Sequence, residues 1–117
     1  MPNKQEVLVI GSGAAGMTVA LELATKYKVS ILSKSAIESG ATWWAQGGIA
    51  SVFDHEDSIE SHYQDTIKAG AGMCHEQTVR SAVERGPEAI RWLVAQGVEF
   101  TQNSSDQYHL TQEAGHS

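Results

Sequence analysis

With 117 residues, eight basic side chains against fourteen acidic ones and a formal charge of −6, the chain has room for one domain and a poor surface for holding a polyanion. Nucleic acid is excluded as a bulk partner, and no apolar run reaches the length of a signal-peptide core or a membrane span. The single cysteine, Cys74, can form no internal disulfide and argues against thiolate metal sites, so the expected compartment is the reducing cytoplasm.

Val7, Leu8, Val9 and Ile10 form an unbroken apolar run, the pattern of a strand buried on both faces of a parallel sheet. The run empties into Gly11-Ser12-Gly13-Ala14-Ala15-Gly16. In such a pattern the first glycine makes the tight turn, and the second lets a pyrophosphate approach the amides that open the next helix. The third lets that helix lie close to the strand. From Ala14 the spacing is helical, with Met17, Ala20, Leu21 and Ala24 as the stripe expected to face the sheet, and Val29 to Leu32 supply a second strand. Glycine-rich turns are common and need bind nothing. A strand before, an amphipathic helix behind and a second strand at the right distance make this one a dinucleotide site.

An acidic residue for the ribose hydroxyls is expected about 20 residues beyond the glycines. Here the second strand ends in Ser33-Lys34, which disfavours an ordinary NAD pocket. Two readings stay open at this point: Lys34 meets the 2′-phosphate of NADP, or the cofactor is FAD in a family that replaced the acid. A solvated lysine is the plain alternative.

After a small, polar stretch come Trp43-Trp44-Ala45-Gln46-Gly47-Gly48. Adjacent tryptophans and paired glycines make either a packed loop or a backbone pressed against a planar ring, and the second reading is favoured. Asp57 with Glu60 three residues on resembles a capping box opening a helix, in which Ile59, Tyr63 and Ile67 share a face and Gly70-Ala71-Gly72 ends the run. A further helix is expected from Glu76 to Arg85, carrying Val79, Ala82 and Val83. Gly86-Pro87 should break it and open another, whose core face is Ala89, Ile90, Leu93 and Val94. Gly97 is placed as its left-handed stop, with Val98-Glu99-Phe100 as a short strand beyond it and Tyr108 to Thr111 as an extended segment.

None of the five histidines pairs with another at a metal-ligand helical spacing, so His55, His62 and His75 are read as surface or capping residues. His109, Glu113 and His116 crowd a stretch without core periodicity, where Glu113 could orient a substrate ammonium. No convincing third parallel strand is found. The expectation is an N-terminal piece of a longer enzyme, poorly folded alone.

Ile10 to Gly16, Leu32-Ser33-Lys34, Ala45 to Ala50, Asp57-Ser58, Ala69 to Gly72 and Tyr108 to Thr111, with Glu113 and Gly115-His116-Ser117 behind them, resemble the N-terminal part of the L-aspartate oxidase family. That family lies within the succinate dehydrogenase and fumarate reductase flavoprotein superfamily. The resemblance implies an α/β fold class: an incomplete Rossmann-like FAD-binding domain over residues 1–117, with the rest of that domain, a capping domain and a C-terminal helical domain outside this stretch. It implies that Gly11, Ser12, Gly13, Ala14, Ala15, Gly16 and Ser33 bind the cofactor, with Ser12 to Ala15 holding the pyrophosphate, that Lys34 lies at the adenosine side, and that Ala41, Thr42, Trp43, Trp44, Ala45, Gln46, Gly47 and Gly48 pass beside the flavin. Glu113 would orient the substrate, and the catalytic arginine would lie beyond Ser117.

Respiratory members of the superfamily attach FAD through a histidine at the position of Ala41, so a non-covalent FAD is implied here. The implied reaction is oxidation of L-aspartate to iminoaspartate by hydride transfer from the α-carbon to flavin N5, with oxygen or fumarate as acceptor. The imine would pass to quinolinate synthase for de novo NAD synthesis. The alternatives are a fumarate reductase or succinate dehydrogenase type of flavoprotein, disfavoured by Ala41, and an inactive FAD-binding fragment.

Overall fold

A computed structural model describes residues 6–45, 47–102 and 107–110. They fall into two compact units, Met1–Gly48 and Ile49–Ser117.

In the first unit, strands β1 (Glu6–Ile10) and β2 (Lys28–Leu32) pair in parallel, Val7 opposite Val29 and Ile10 opposite Leu32, and helix α1 (Ala14–Ala24) connects them. The pairing runs one residue past β1, because the Gly11 N–H donates to the Leu32 carbonyl at 2.8 Å. The βαβ opening is therefore present, with a two-stranded sheet among the described residues.

The pleat separates two faces. Val7, Val9 and Val29 are half-buried, and a β-carbon built on Gly16 of α1 would lie 3.5 Å from Val9 Cγ1. Leu8, Ile10 and Leu32 occupy the opposite face and are 60%, 77% and 55% exposed. Burial on both faces is thus not observed: among the described residues only α1 covers this sheet, and it covers one side.

The stripe on α1 is Gly16, Met17, Ala20 and Leu23, with Ala20 buried and the others half-buried. Leu21 is exposed, as is Ala24, which corrects the expected stripe. Each residue turns the helix by about 100°, so Leu21 is swung well away from Ala20 while Leu23, three residues on, returns to within about 60° of it. Beyond β2 come a 3-10 turn, Ile37–Ser39, and a single helical turn, α2 (Ala41–Trp44), where a loop was expected.

In the second unit, α3 (Ile59–Ala69) packs against α4 (Glu76–Ala95). The N-cap of α3 is Ser58, whose hydroxyl accepts from the Ser61 N–H at 3.0 Å. Asp57 stands one residue earlier and takes the Ser58 N–H instead, so the expected capping box with Asp57 is shifted by one position. Glu60, freed from capping, accepts from Gln64 Nε2 at 2.8 Å and from Arg80 Nη1 of α4 at 2.6 Å, and the Arg80 guanidinium lies 3.7 Å from the centre of the Tyr63 ring.

Helix α4 runs straight through Gly86-Pro87, where a break was expected. Pro87 deletes one rung of the backbone ladder, a cost of about 3 kcal/mol in a helix interior. Continuity keeps Val79, Val83, Ile90 and Leu93 in one stripe, with Val83 and Ile90 buried; a break would split it. Ala89 and Val94 are exposed and leave the expected core face. The helix ends as foreseen: Gly97 has φ +94°, its N–H donates to Val94 and the Val98 N–H to Leu93, a Schellman motif. Val98 to Phe100 do not form a strand; the extended pairing lies further on, as an antiparallel bridge between Gln102 and Tyr108. Tyr108 meets Phe53 and Phe100 edge to face at 5.4 and 6.2 Å between centroids. No helix among the described residues is long and apolar enough to cross a membrane.

Two outcomes follow. A methyl on Gly16 would collide with the Gly11 carbonyl, so Gly16→Ala should lower the urea unfolding midpoint, with a loss of about 1–3 kcal/mol. The hydrogen bond from Arg80 and then that from Gln64 hold the Glu60 carboxyl below its ordinary value of 4.5. A depressed folded-state value contributes stability that is complete above the ordinary value and disappears as pH falls through the lowered one. Melting curves between about pH 6 and pH 3 should therefore show an acid loss that Glu60→Gln flattens and high salt weakens.

Candidate functional site

Parallel pairing brings the carboxyl ends of β1 and β2 to one edge, so Gly11–Gly16 and Ser33-Lys34 emerge side by side. Ser12 and Ser33 close the gap with a hydroxyl–hydroxyl hydrogen bond of 2.9 Å. Lys34 is exposed. The carboxylate that usually meets the ribose is replaced by a half-buried hydroxyl with an exposed cation beside it, a pair able to approach hydroxyls or phosphate without like-charge repulsion.

Helix α1 opens without a side-chain cap, its N-cap Gly13 being extended at φ −76°, ψ 179°. The backbone ladder starts with the Met17 N–H donating to the Gly13 carbonyl at 2.9 Å, which leaves the amides of Ala14, Ala15 and Gly16 outside it. The Thr42 hydroxyl accepts from the Ala14 N–H at 3.1 Å. The amides of Ala15 and Gly16 meet no acceptor among the described residues.

A β-carbon on Gly13 would meet nothing nearer than Thr42 Oγ1 at 3.6 Å, so the space over the helix mouth is open to a ligand. Orphan amides, a positive helix end and a bare glycine at the point of approach fit a diphosphate group.

The sequence-predicted residues divide as follows. Gly11 to Gly16, Ser33 and Thr42 are brought together at the sheet edge, joined by the Ser12–Ser33 and Ala14–Thr42 hydrogen bonds. Ala41 to Trp44 follow on α2, with Trp43 and Trp44 64% and 72% exposed, and Ala45, Gly47 and Gly48 are exposed beyond them. Gln46 and Glu113 lie outside the described residues, as does His116.

In the second unit His109 presents an exposed side chain while its backbone N–H pairs with Thr101, and His75 caps α4 through Nδ1, as the capping reading expected. No cluster of metal-ligating side chains occurs among the described residues. The role of Thr42 as a cap for α1 left no local signal in the sequence, since 28 residues separate it from the amide it binds. The Ser12–Ser33 bond was inferable once the register is known, because both serines follow paired strand ends.

Residues 6–117 match a family described as FAD binding domain. An L-aspartate oxidase of Vibrio cholerae is 56% identical over 117 residues, covering 96% of this chain, and one of Pseudomonas aeruginosa is 50% identical over 121 residues, covering 97%. The chain spans 22% of the length of each. Among solved structures, a variant of the E. coli quinol fumarate reductase FrdA superposes with a TM-score of 0.81 at 25% identity, over 92% of this chain and 20% of that one. Mycobacterium smegmatis Sdh1 superposes with a TM-score of 0.87 at 23% identity, over 97% and 20%.

The geometry separates a glycine needed for folding from one needed for ligand. Gly13→Ala finds room and should change stability by less than about 1 kcal/mol. For a diphosphate approaching over Gly13 the added methyl would intrude, so FAD affinity should fall about tenfold or more in a flavin fluorescence titration of the full-length apoprotein.

Proposed function

The chain belongs to the FAD binding domain family, and from that premise we propose that it is the N-terminal part of an FAD-dependent L-aspartate oxidase. The observation that carries this reading is the 50–56% identity to L-aspartate oxidases along almost the whole chain, over a helix mouth that fits a diphosphate. In this reading the remainder of the FAD-binding domain, a capping domain and a C-terminal helical domain lie outside residues 1–117.

When bound, the flavin supplies a two-electron acceptor for the amino acid's α-carbon, and oxygen or fumarate takes the electrons onward. The residues described here do the holding. The amides of Ala15 and Gly16 would donate to the diphosphate, Ser33 and Lys34 would meet the adenosine side, and Ala41 to Gly48 would line the ring. Ala41 offers no nucleophile where a covalent link would form, so FAD is held by these contacts alone. Glu113 is the residue assigned to orient the substrate ammonium. The product is iminoaspartate, made in the cytoplasm and handed to a quinolinate synthase on the route to NAD; the chain's lone cysteine suits such a reducing compartment.

The test is made on the full-length protein. It should purify yellow, release its flavin into the supernatant on acid precipitation, and oxidise L-aspartate but not succinate. Turnover of succinate without aspartate, or flavin that stays with the precipitate, would place it instead with the fumarate reductase and succinate dehydrogenase type.

A further inference from the structure

Two hydroxyl contacts fasten three pieces of chain at the sheet edge. Ser12 and Ser33 join the turns that follow β1 and β2, and Thr42 of α2 joins the mouth of α1 through the Ala14 amide. The second contact is the more consequential. A helix whose N-cap is glycine has no side chain of its own to satisfy its first amides, and the residue that does so here comes from another helical turn.

We propose that Thr42 is a positioning residue: by capping α1 across space it fixes the tryptophan-bearing segment Ala41–Gly48 to the phosphate-binding helix mouth before any cofactor arrives. This rests on the FAD reading above and adds to it a division of labour among the three orphan amides. Ala14 is committed to holding the segment, and Ala15 and Gly16 are left for the diphosphate. A cap of this kind restrains a segment that is otherwise exposed on every described residue from Ala41 to Gly48, so less ordering remains to be done when the ring binds.

The proposal makes a demand on the wild-type full-length apoprotein itself. The Ala14 amide should exchange its hydrogen about tenfold more slowly than the Ala15 amide, which has no such partner. Equal rates overturn the proposal, whatever becomes of any variant. Thr42→Val, which keeps the shape and removes the acceptor, should bring the two rates together and weaken FAD binding about five- to tenfold, and Thr42→Ser should restore both. Faster exchange without weaker binding would sink the positioning role, and weaker binding without faster exchange would make Thr42 a direct ligand instead of a cap. A Thr42→Ser protein as impaired as Thr42→Val would likewise count against it. Failure of the wild-type protein to take up FAD at all would instead overturn the FAD reading, and the exchange rates at Ala14 and Ala15 would still decide whether the cap exists.

Discussion

The first turn of an α-helix carries amides that the helix itself cannot satisfy, and in this chain the first unit is built so that most of them stay that way. A side-chain cap at residue 13 would quench the mouth of α1; glycine there does not. The strand pair delivers that mouth to the sheet edge, and the extra rung from Gly11 to Leu32 fixes how the chain leaves the sheet. The close seat of Gly16 against the Gly11 carbonyl then fixes where the helix axis lies. Each feature has a local cause. Together they hold the amides of Ala15 and Gly16 in one place without a protein acceptor among the described residues, which is a stable arrangement only because the site is open to water or to an anion.

The second unit is held by different forces. Its core is an aliphatic seam along α3 and α4, with Val83 and Ile90 as its buried members, and a cation set between a carboxylate and a tyrosine face ties the two helices at the surface. The seam explains why Pro87 is tolerated. A helix interior normally rejects proline, yet here continuity keeps Val83 and Ile90, on either side of Pro87, on one buried stripe, and burying a valine and an isoleucine contributes about 1.5–3 kcal/mol each.

The first unit was legible in the sequence because its signals are local and redundant. An apolar run, a glycine pattern and a second run at the right interval admit few other folds, and β1, α1 and β2 all lie where that reasoning puts them. Misreadings arose where two rules competed. At Asp57-Ser58 both residues are good caps; Ser58 caps α3, and Glu60, the other half of the expected box, pairs with Arg80, a partner 20 residues distant. At Gly86-Pro87 local propensity lost to the length of the apolar stripe. Leu21 was assigned to the wrong side of α1 because alanine and leucine adjacent in sequence look alike in a hydrophobicity pattern, although the helix turns them apart. The Thr42 contact had no signature at all, since it depends on how one segment returns to another.

The face of the sheet formed by Leu8, Ile10 and Leu32 carries a thermodynamic corollary. Those side chains belong to the same two strands whose ends present the glycine turn and the Ser12–Ser33 pair, so shielding them from water would also steady the platform from which the open amides of α1 project. Linkage is reciprocal: to whatever extent a layer over the aliphatic side tightens the hold on a ligand at the strand ends, that ligand tightens the hold on the layer by the same factor.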